Sequence, residues 1–327
     1  AYCGRGGRGK TWTLTAIVDG TKSLLGKERV VLAAVASKAV RRMQTQAGHP
    51  VEDCKNIAEL IYVEQPNSLR NAMIIIDEAS MLSLVDAFRL IRKLPYDTHI
   101  VFLGDHYQIP SIGAGKLFYD IVSNNAVPNI ELTISQRHDV KTDNQLNMVL
   151  DGKFPVFDDF QIGSPSGLYR HLVSSPNKFS DPIKIAEDEA IKFYREFIAN
   201  EETAQIISPL RDVKYPGSSD CINNKAHVSI FGVEQHGQKC VGTPVVWTKR
   251  IRTDSGAVLS NGSVGFVQSF CGEGSPYYLT VVFDHEGVVS LKWQEVQDYL
   301  DYSYCLSVHR AQGSEWENVI IVLPQSK

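Results

Sequence analysis

Over residues 1–125, short apolar runs alternate with stretches of helical periodicity, the pattern of βαβ units on a parallel sheet. Candidate strands are Val30–Ala36, Met73–Asp77 and His99–Gly104. Ser83–Lys93 repeats its apolar residues at helical spacing, and Leu94-Pro95 stops it. A second α/β block is expected over 126–240, with a helix near Pro182–Ala199 and a strand near Ala204–Ser208. Residues 241–300 change character: 'TPVVWTKRIR', 'SVGFVQSF', 'YYLTVVFD' and 'GVVSLKW' are short β runs split by Gly, Ser and Asn, which predict a small antiparallel barrel. Residues 301–327 return to strand–loop–strand, as a continuation of the second block. Both ends look cut: only 'AYC' precedes the first glycine turn, and the buried-strand pattern 'NVIIVLP' has almost nothing after it.

Composition narrows the class only a little. With 327 residues, 43% hydrophobic and 21% charged, the chain is long enough for two or three cores. Its longest apolar run, Val30–Ala36, is too short to cross a bilayer, so no membrane role is expected. The six cysteines are scattered, with neither a C-x-x-C nor clustered histidines; this argues against a disulfide framework and against a zinc site, and implies a cytoplasmic or nucleoid-associated setting. A net charge of −4 means that any nucleic acid must be held by a local groove.

'CGRGGRGKTWT' fits two phosphate-binding patterns at once. Gly4-x-Gly6-x-x-Gly9 is a dinucleotide turn, and Gly4-x-x-x-x-Gly9-Lys10-Thr11 is a triphosphate loop. A dinucleotide site needs a carboxylate at the end of the second strand, about 20 residues on; here that strand ends in Ala36, Ser37 and Lys38. A triphosphate site needs a carboxylate at the tip of another buried strand, and 'MIIIDEAS' (73–80) supplies Asp77 and Glu78. The reading is therefore ATP with magnesium: backbone N–H groups of Gly7 and Gly9 and the Lys10 ammonium on the phosphates, Thr11 and Asp77 on the metal, Glu78 as general base.

Three further stretches choose among nucleotide hydrolases. 'VFLGDHYQIPS' (101–111) is a strand ending in Gly-Asp, followed by Gln108, placed to touch both the γ-phosphate and the attacking water. 'LTISQRHD' (132–139) carries Arg137, a candidate arginine finger. 'CLSVHRAQGSEWENVIIVLP' (305–324) runs a polar loop, Ser307 to Glu315, into a strand.

In order and spacing these segments resemble the motifs of superfamily 1 helicases of the RecD-like, 5′-to-3′ branch. 'GRGGRGKT' resembles motif I, 'AVASKAVRRM' stands at motif Ia, 'IIIDEASML' resembles motif II, 'FLGDHYQIPSIGAG' motif III, 'SQRHD' motif IV and 'SVHRAQGSEW' motif V. 'AQIISPLRDVKYPGSSDCINN' (204–224) resembles the start of the second motor domain, and 'GTPVVWTKRIRTDSGAVLSNGSVGFV' (242–267) its inserted SH3-like barrel. The departures are Val35-Ala36-Ser37 where motif Ia carries Pro-Thr-Gly, Ser307 for the Thr that opens motif V, and no motif VI after Pro324. The resemblance implies a P-loop α/β protein with two RecA-like parallel-sheet domains and an SH3-like barrel. It also implies ATP hydrolysed between the two domains, driving movement on single-stranded DNA and at duplex junctions. Gly313 and Glu315 would touch the nucleotide, and Ser37, Lys38, Ser208, Pro209, Ser307 and His309 the DNA. The alternative is a DNA-stimulated ATPase serving as a subunit of a repair or recombination complex, without unwinding alone.

Other residues have plainer readings. Arg5 and Arg8 read as solvent-facing loop positions, and His106 as an exposed loop residue. Trp247, Tyr277 and Tyr278 read as barrel packing rather than base-stacking surfaces, and Asn261-Gly262 as a turn. Arg41 and Arg42 face either solvent or DNA phosphate.

Overall fold

The computed structural model describes all residues except 26–28, 135–138, 162, 166, 174–180, 233–238, 254–257, 273–275 and 324–327. The chain forms two compact units, Ala1–Leu172 and Val173–Lys327.

In the first unit, strands β1 (Tyr2–Cys3), β2 (Val30–Ala34), β3 (Cys54–Asn56), β4 (Met73–Asp77), β5 (His99–Gly104) and β6 (Ile130–Glu131) form one sheet in the order β3-β2-β4-β5-β1-β6. Every pairing is parallel. The sheet is buried on both sides, which is why β2 and β4 read as unbroken apolar runs. Along β4, Ile74 and Ile76 face one core while Met73 and Ile75 face the other. Helices α1 (Lys10–Leu25) and α2 (Ser37–Ala47) pack on the Ile75 side, and α3 (Ile57–Tyr62), α4 (Leu84–Lys93) and α5 (Leu117–Ser123) on the Ile74 side.

Strand β2 stops two residues before the expected Ala36, because Ala36 in extended conformation serves as the N-cap of α2. The helix expected from Ser83 starts one residue later: the Ser83 hydroxyl caps it by accepting from the Asp86 N–H, and Arg92 and Lys93 fill its last turn. The unit also runs on past the expected boundary at 125. Strand β6 pairs with β1, α6 (Val140–Leu150) follows, and the short β7 (Asp158–Asp159) and β8 (Tyr169–Arg170) pair parallel.

The second unit opens with α7 (Pro182–Ala199), capped by Asp181 with Pro182 in its first turn, and β9 (Ala204–Ser208). After α8 (Ser219–Phe231) come β10 (Pro244–Trp247), a two-stranded ribbon of β11 (Ile251–Arg252) and β12 (Val258–Leu259), and β13 (Val264–Phe270), β14 (Leu279–Phe283) and β15 (Gly287–Leu291). Helix α9 (Trp293–Tyr299) leads to β16 (Leu300–Tyr302). Strands β15-β14-β13-β10-β16 make one antiparallel sheet. The sequence predicts a small antiparallel barrel here; among the described residues no ladder joins edge strands β15 and β16, and the sheet keeps its last strand to Tyr302. Trp247 is buried in its core with Tyr278 packed alongside, and Asn261-Gly262 form a turn. The chain then passes through β17 (Cys305–Ser307), α10 (Val308–Ala311) and β18 (Asn318–Ile321), and β17-β9-β18 form a three-stranded parallel sheet.

One glycine is fixed by close approach between strands. A Cβ on Gly265 would lie 2.2 Å from the Val282 carbonyl oxygen and 2.7 Å from Phe283 Cα, both backbone atoms that cannot step aside. Gly265→Ala is therefore expected to destabilise the second unit by about 3 kcal/mol, read as a lower urea midpoint for that unit. An unchanged midpoint would show that β13 and β14 can separate at no expense.

Candidate nucleotide site

The parallel register aligns three strand ends. Cys3 pairs with Gly104 and Ile76 with Phe102, so Glu78 comes level with Gly104, and the loops after β1, β4 and β5 leave the same edge side by side. That edge is where open parallel sheets bind ligands.

The first loop departs from β1 while the Gly4 N–H still bonds the Gly104 carbonyl at 3.1 Å. Gly7 and Gly9 have φ of 74° and 77°, left-handed values that favour glycine. Helix α1 then begins at Lys10, with Thr11 second, and the Thr13 N–H and hydroxyl both bond the Gly9 carbonyl. The Lys10 ammonium reaches back across the loop to the Gly4 and Arg5 carbonyls at 2.7 and 3.1 Å. A flexible point charge is thereby set at a helix N-terminus, the arrangement that binds phosphate.

The two loop arginines are not solvent-facing. Arg8 forms an ion pair with Asp143 of α6 at 3.0 Å, with its side chain only 10% exposed. Arg5 donates to the Asn147 side chain one turn further along α6, and its guanidinium lies 4.7 Å from the centre of the Tyr107 ring. Both arginines tie the loop to α6, which the sequence left unassigned.

At the end of β4, Asp77 and Glu78 are both buried. Glu78 adopts φ 50°, ψ 41°, a left-handed conformation unusual for a side-chain-bearing residue, and its N–H donates to Asp77 Oδ1 at 2.8 Å. Arg42 of α2 spans the pair, with one guanidinium nitrogen 3.2 Å from Asp77 Oδ2 and 3.2 Å from Glu78 Oε1. Arg42 thus faces neither open solvent nor DNA phosphate, as its place after motif Ia had suggested, but the carboxylates. Burial, and then the neighbouring Asp77 charge, raise the Glu78 pKa above its ordinary value; Arg42 and Lys10 pull the other way. For Arg42, burial opposes the charge, yet Asp77 and Glu78 more than offset it and hold the guanidinium above its ordinary value. Glu78 Oε2 and the Ser80 hydroxyl are buried and have no hydrogen-bond partner among the described residues.

These donors fit magnesium. Asp77 brings buried carboxylate oxygens, the hard ligands that ion requires, and Glu78 Oε2, with no partner among the described residues, is left beside them for a water.

After β5, Asp105 is buried and organises the third loop: its carboxylate accepts the Tyr107 N–H and its carbonyl the Gln108 N–H. Gln108 Oε1 is buried without a partner among the described residues. His106, expected as an exposed loop residue, is half-buried, with its ring centre 4.2 Å from that of Tyr107 and tilted to it by 40°. Arg137 lies outside the described residues, and so do the side chains of Thr11, Ser37 and Lys38; Ser37 and Lys38 open α2.

In the second unit, Ser208 and Ser307 are direct register partners at the ends of β9 and β17. Pro209, one residue past Ser208, and His309, two past Ser307, are exposed, and Gly313 and Glu315 sit in the loop before β18 with Gly313 at φ 75°. Ser208 departs from expectation: it is fully buried, and its hydroxyl donates to the Gly217 carbonyl at 2.6 Å and accepts the Leu210 N–H at 3.2 Å. Its side chain shapes the loop after β9 and has no capacity left for DNA. Sequence reasoning missed Arg211 and Arg310, which follow the same two strands and converge on Asp301 at 3.9 and 3.0 Å. The signal was a cation just beyond each serine-ended strand.

The AAA domain family profile matches residues 1–155. The chain is 29% identical to the ATP-dependent RecD2 DNA helicase of Deinococcus radiodurans, across 98% of this chain and 42% of that protein. It is 22% identical to the RecBCD enzyme subunit RecD of Mycobacterium tuberculosis, across 98% of this chain and 60% of that one. The chain thus spans less than two thirds of the length of either relative. Among solved structures, the Pif1 helicase of Candida albicans aligns over 98% of this chain and 83% of its own, at 18% identity and a TM-score of 0.47.

Two predictions follow from this geometry. Asp143→Ala leaves Arg8 a charge with little access to water, and should destabilise the first unit by about 2 kcal/mol. The double variant with Arg8→Ala should fall short of the sum of the singles in urea denaturation, and strict additivity would dismiss the pair. The raised Glu78 pKa means that the folded chain binds that proton more tightly than the unfolded chain does. Glu78 therefore favours folding below its ordinary value of 4.5, and that advantage is lost as pH rises through the raised folded value. Glu78→Gln should accordingly gain stability over the parent chain at about pH 7.5 and lose that gain at about pH 4; the opposite trend would reverse the assignment.

Proposed function

We propose that the chain is a RecD-like helicase of superfamily 1 that hydrolyses ATP to move along single-stranded DNA, 5′ to 3′, and to unwind duplex at junctions. The observation that carries this reading is the Asp77–Glu78 pair, buried beside a glycine loop and its lysine, with Glu78 Oε2 unpartnered and its pKa raised.

In this reading the N–H groups of Gly7 and Gly9 and the Lys10 ammonium hold the phosphates. Asp77 and Thr11 hold magnesium, which supplies positive charge to the phosphate oxygens when bound. Glu78 takes the proton of the attacking water, and its raised pKa makes it a better base than an exposed carboxylate. Gln108 orients that water, and Arg137 meets the charge that develops on the γ-phosphoryl group. On the DNA side, Ser37, Lys38, Pro209, Ser307 and His309 lie along the strand, with Arg211 and Arg310 joining them as phosphate contacts in place of Ser208.

A second reading, a DNA-stimulated ATPase that serves a larger repair or recombination assembly without unwinding alone, draws on the mycobacterial relative named as a subunit of the RecBCD enzyme. Steady-state hydrolysis with and without single-stranded DNA separates the classes. The parent chain should be stimulated at least tenfold by DNA, and Glu78→Gln should lose about 100-fold in rate while still binding ATP. Hydrolysis indifferent to nucleic acid would defeat the motor reading, and stimulated hydrolysis without strand separation would favour the subunit.

A further inference from the structure

Helix α1 carries one residue that its own packing does not explain. Its core face is Leu14, Val18 and Thr21, all nearly inaccessible. The opposite face is Trp12, Ala16, Asp19 and Ser23, and there the indole is 78% exposed amid small or charged neighbours. Among the described residues no aromatic ring or cation packs against it. An exposed tryptophan with no intramolecular role leaves large apolar area in water, which contributes nothing to folding.

Its position supplies the missing partner. Trp12 stands two residues past Lys10, in the first turn of the helix that the glycine loop opens onto. Side chains on a helix lean toward its N-terminus and cover the preceding turn, so the indole overhangs the end of α1 at which phosphates bind. A nucleoside triphosphate held by the loop must lead its sugar and base outward from that end. The base is a flat π-surface with an apolar face, and an indole offers a matching one.

We propose that Trp12 is the stacking platform for the base of the nucleotide that the Gly4–Thr11 loop holds. This rests on the triphosphate reading of the loop and adds where the base lies and what holds it. Stacking reads the ring face rather than the hydrogen-bonding edge, so the ligand class is a nucleoside triphosphate whatever its base.

The test compares a ligand that has a base with one that lacks it. Calorimetric titration of the full chain with ATP and with inorganic tripolyphosphate, both with magnesium, is repeated for Trp12→Ala and Trp12→Phe. The alanine variant should lose about tenfold in ATP affinity, while tripolyphosphate binding stays unchanged and phenylalanine restores most of the ATP affinity. ATP affinity unaffected by Trp12→Ala would overturn the proposal, as would equal weakening of both ligands, which would mark a disturbed loop. Loss of single-stranded DNA binding with ATP binding intact would hand the indole to the nucleic acid and equally overturn it. Failure of the parent chain to bind either ligand would instead overturn the triphosphate reading beneath it, so the two failures are distinguishable.

Discussion

Two carboxylates leave water together at the end of β4, and the neighbourhood of that edge is arranged around this unfavourable placement. Asp77 and Glu78 are buried side by side, and adjacent negative charges in a low-dielectric setting disfavour their joint ionisation. Arg42 answers both with one guanidinium, which places α2 against the end of β4. The left-handed turn at Glu78 separates the two carboxyl groups while one still accepts the other's backbone N–H. Strain and desolvation concentrated at one point are how a fold keeps a base ready to accept a proton.

The glycine loop faces the reverse difficulty, an excess of positive charge. Lys10, Arg5 and Arg8 crowd six residues, and each is held by oxygens of the protein: loop carbonyls for Lys10, Asn147 for Arg5 and Asp143 for Arg8. Because the last two partners lie on α6, the loop is braced by a helix distant in sequence.

Most of the first sheet was legible because a strand buried on both faces must be apolar throughout, and β4 and the body of β2 announce themselves that way, while β5 shows as an apolar run that is only half-buried before its end. The glycine loop and the Asp-Glu pair were legible for a related reason, since few other chemistries require those residue types at those spacings. What could not be read were features decided by distant partners. Strands β1 and β6 are two residues each and exist only through pairing. Arg42 and Arg8 look like surface residues until the carboxylates opposite them are known. Ser208 looked like a DNA contact because it ends a strand in the right stretch; its fully buried hydroxyl shows that the position shapes the loop instead.

Ser208 also shows how the carboxyl edge of the second sheet is built. A serine that bonds the Gly217 carbonyl and the Leu210 N–H closes the loop after β9 on itself, leaving Pro209 exposed and directing Arg211 toward Asp301. Arg310, after the neighbouring strand, reaches the same carboxylate. Asp301 is half exposed and shares one charge between the two guanidinium groups, and the Asp220 carboxylate feels both arginines as well, so the cations at this edge are matched by carboxylates. The first sheet's edge, with a carboxylate pair, a lysine and backbone N–H groups, suits a triphosphate with its metal. The same parallel-sheet architecture thus presents two chemically different edges, and the difference lies in the residues that immediately follow each strand.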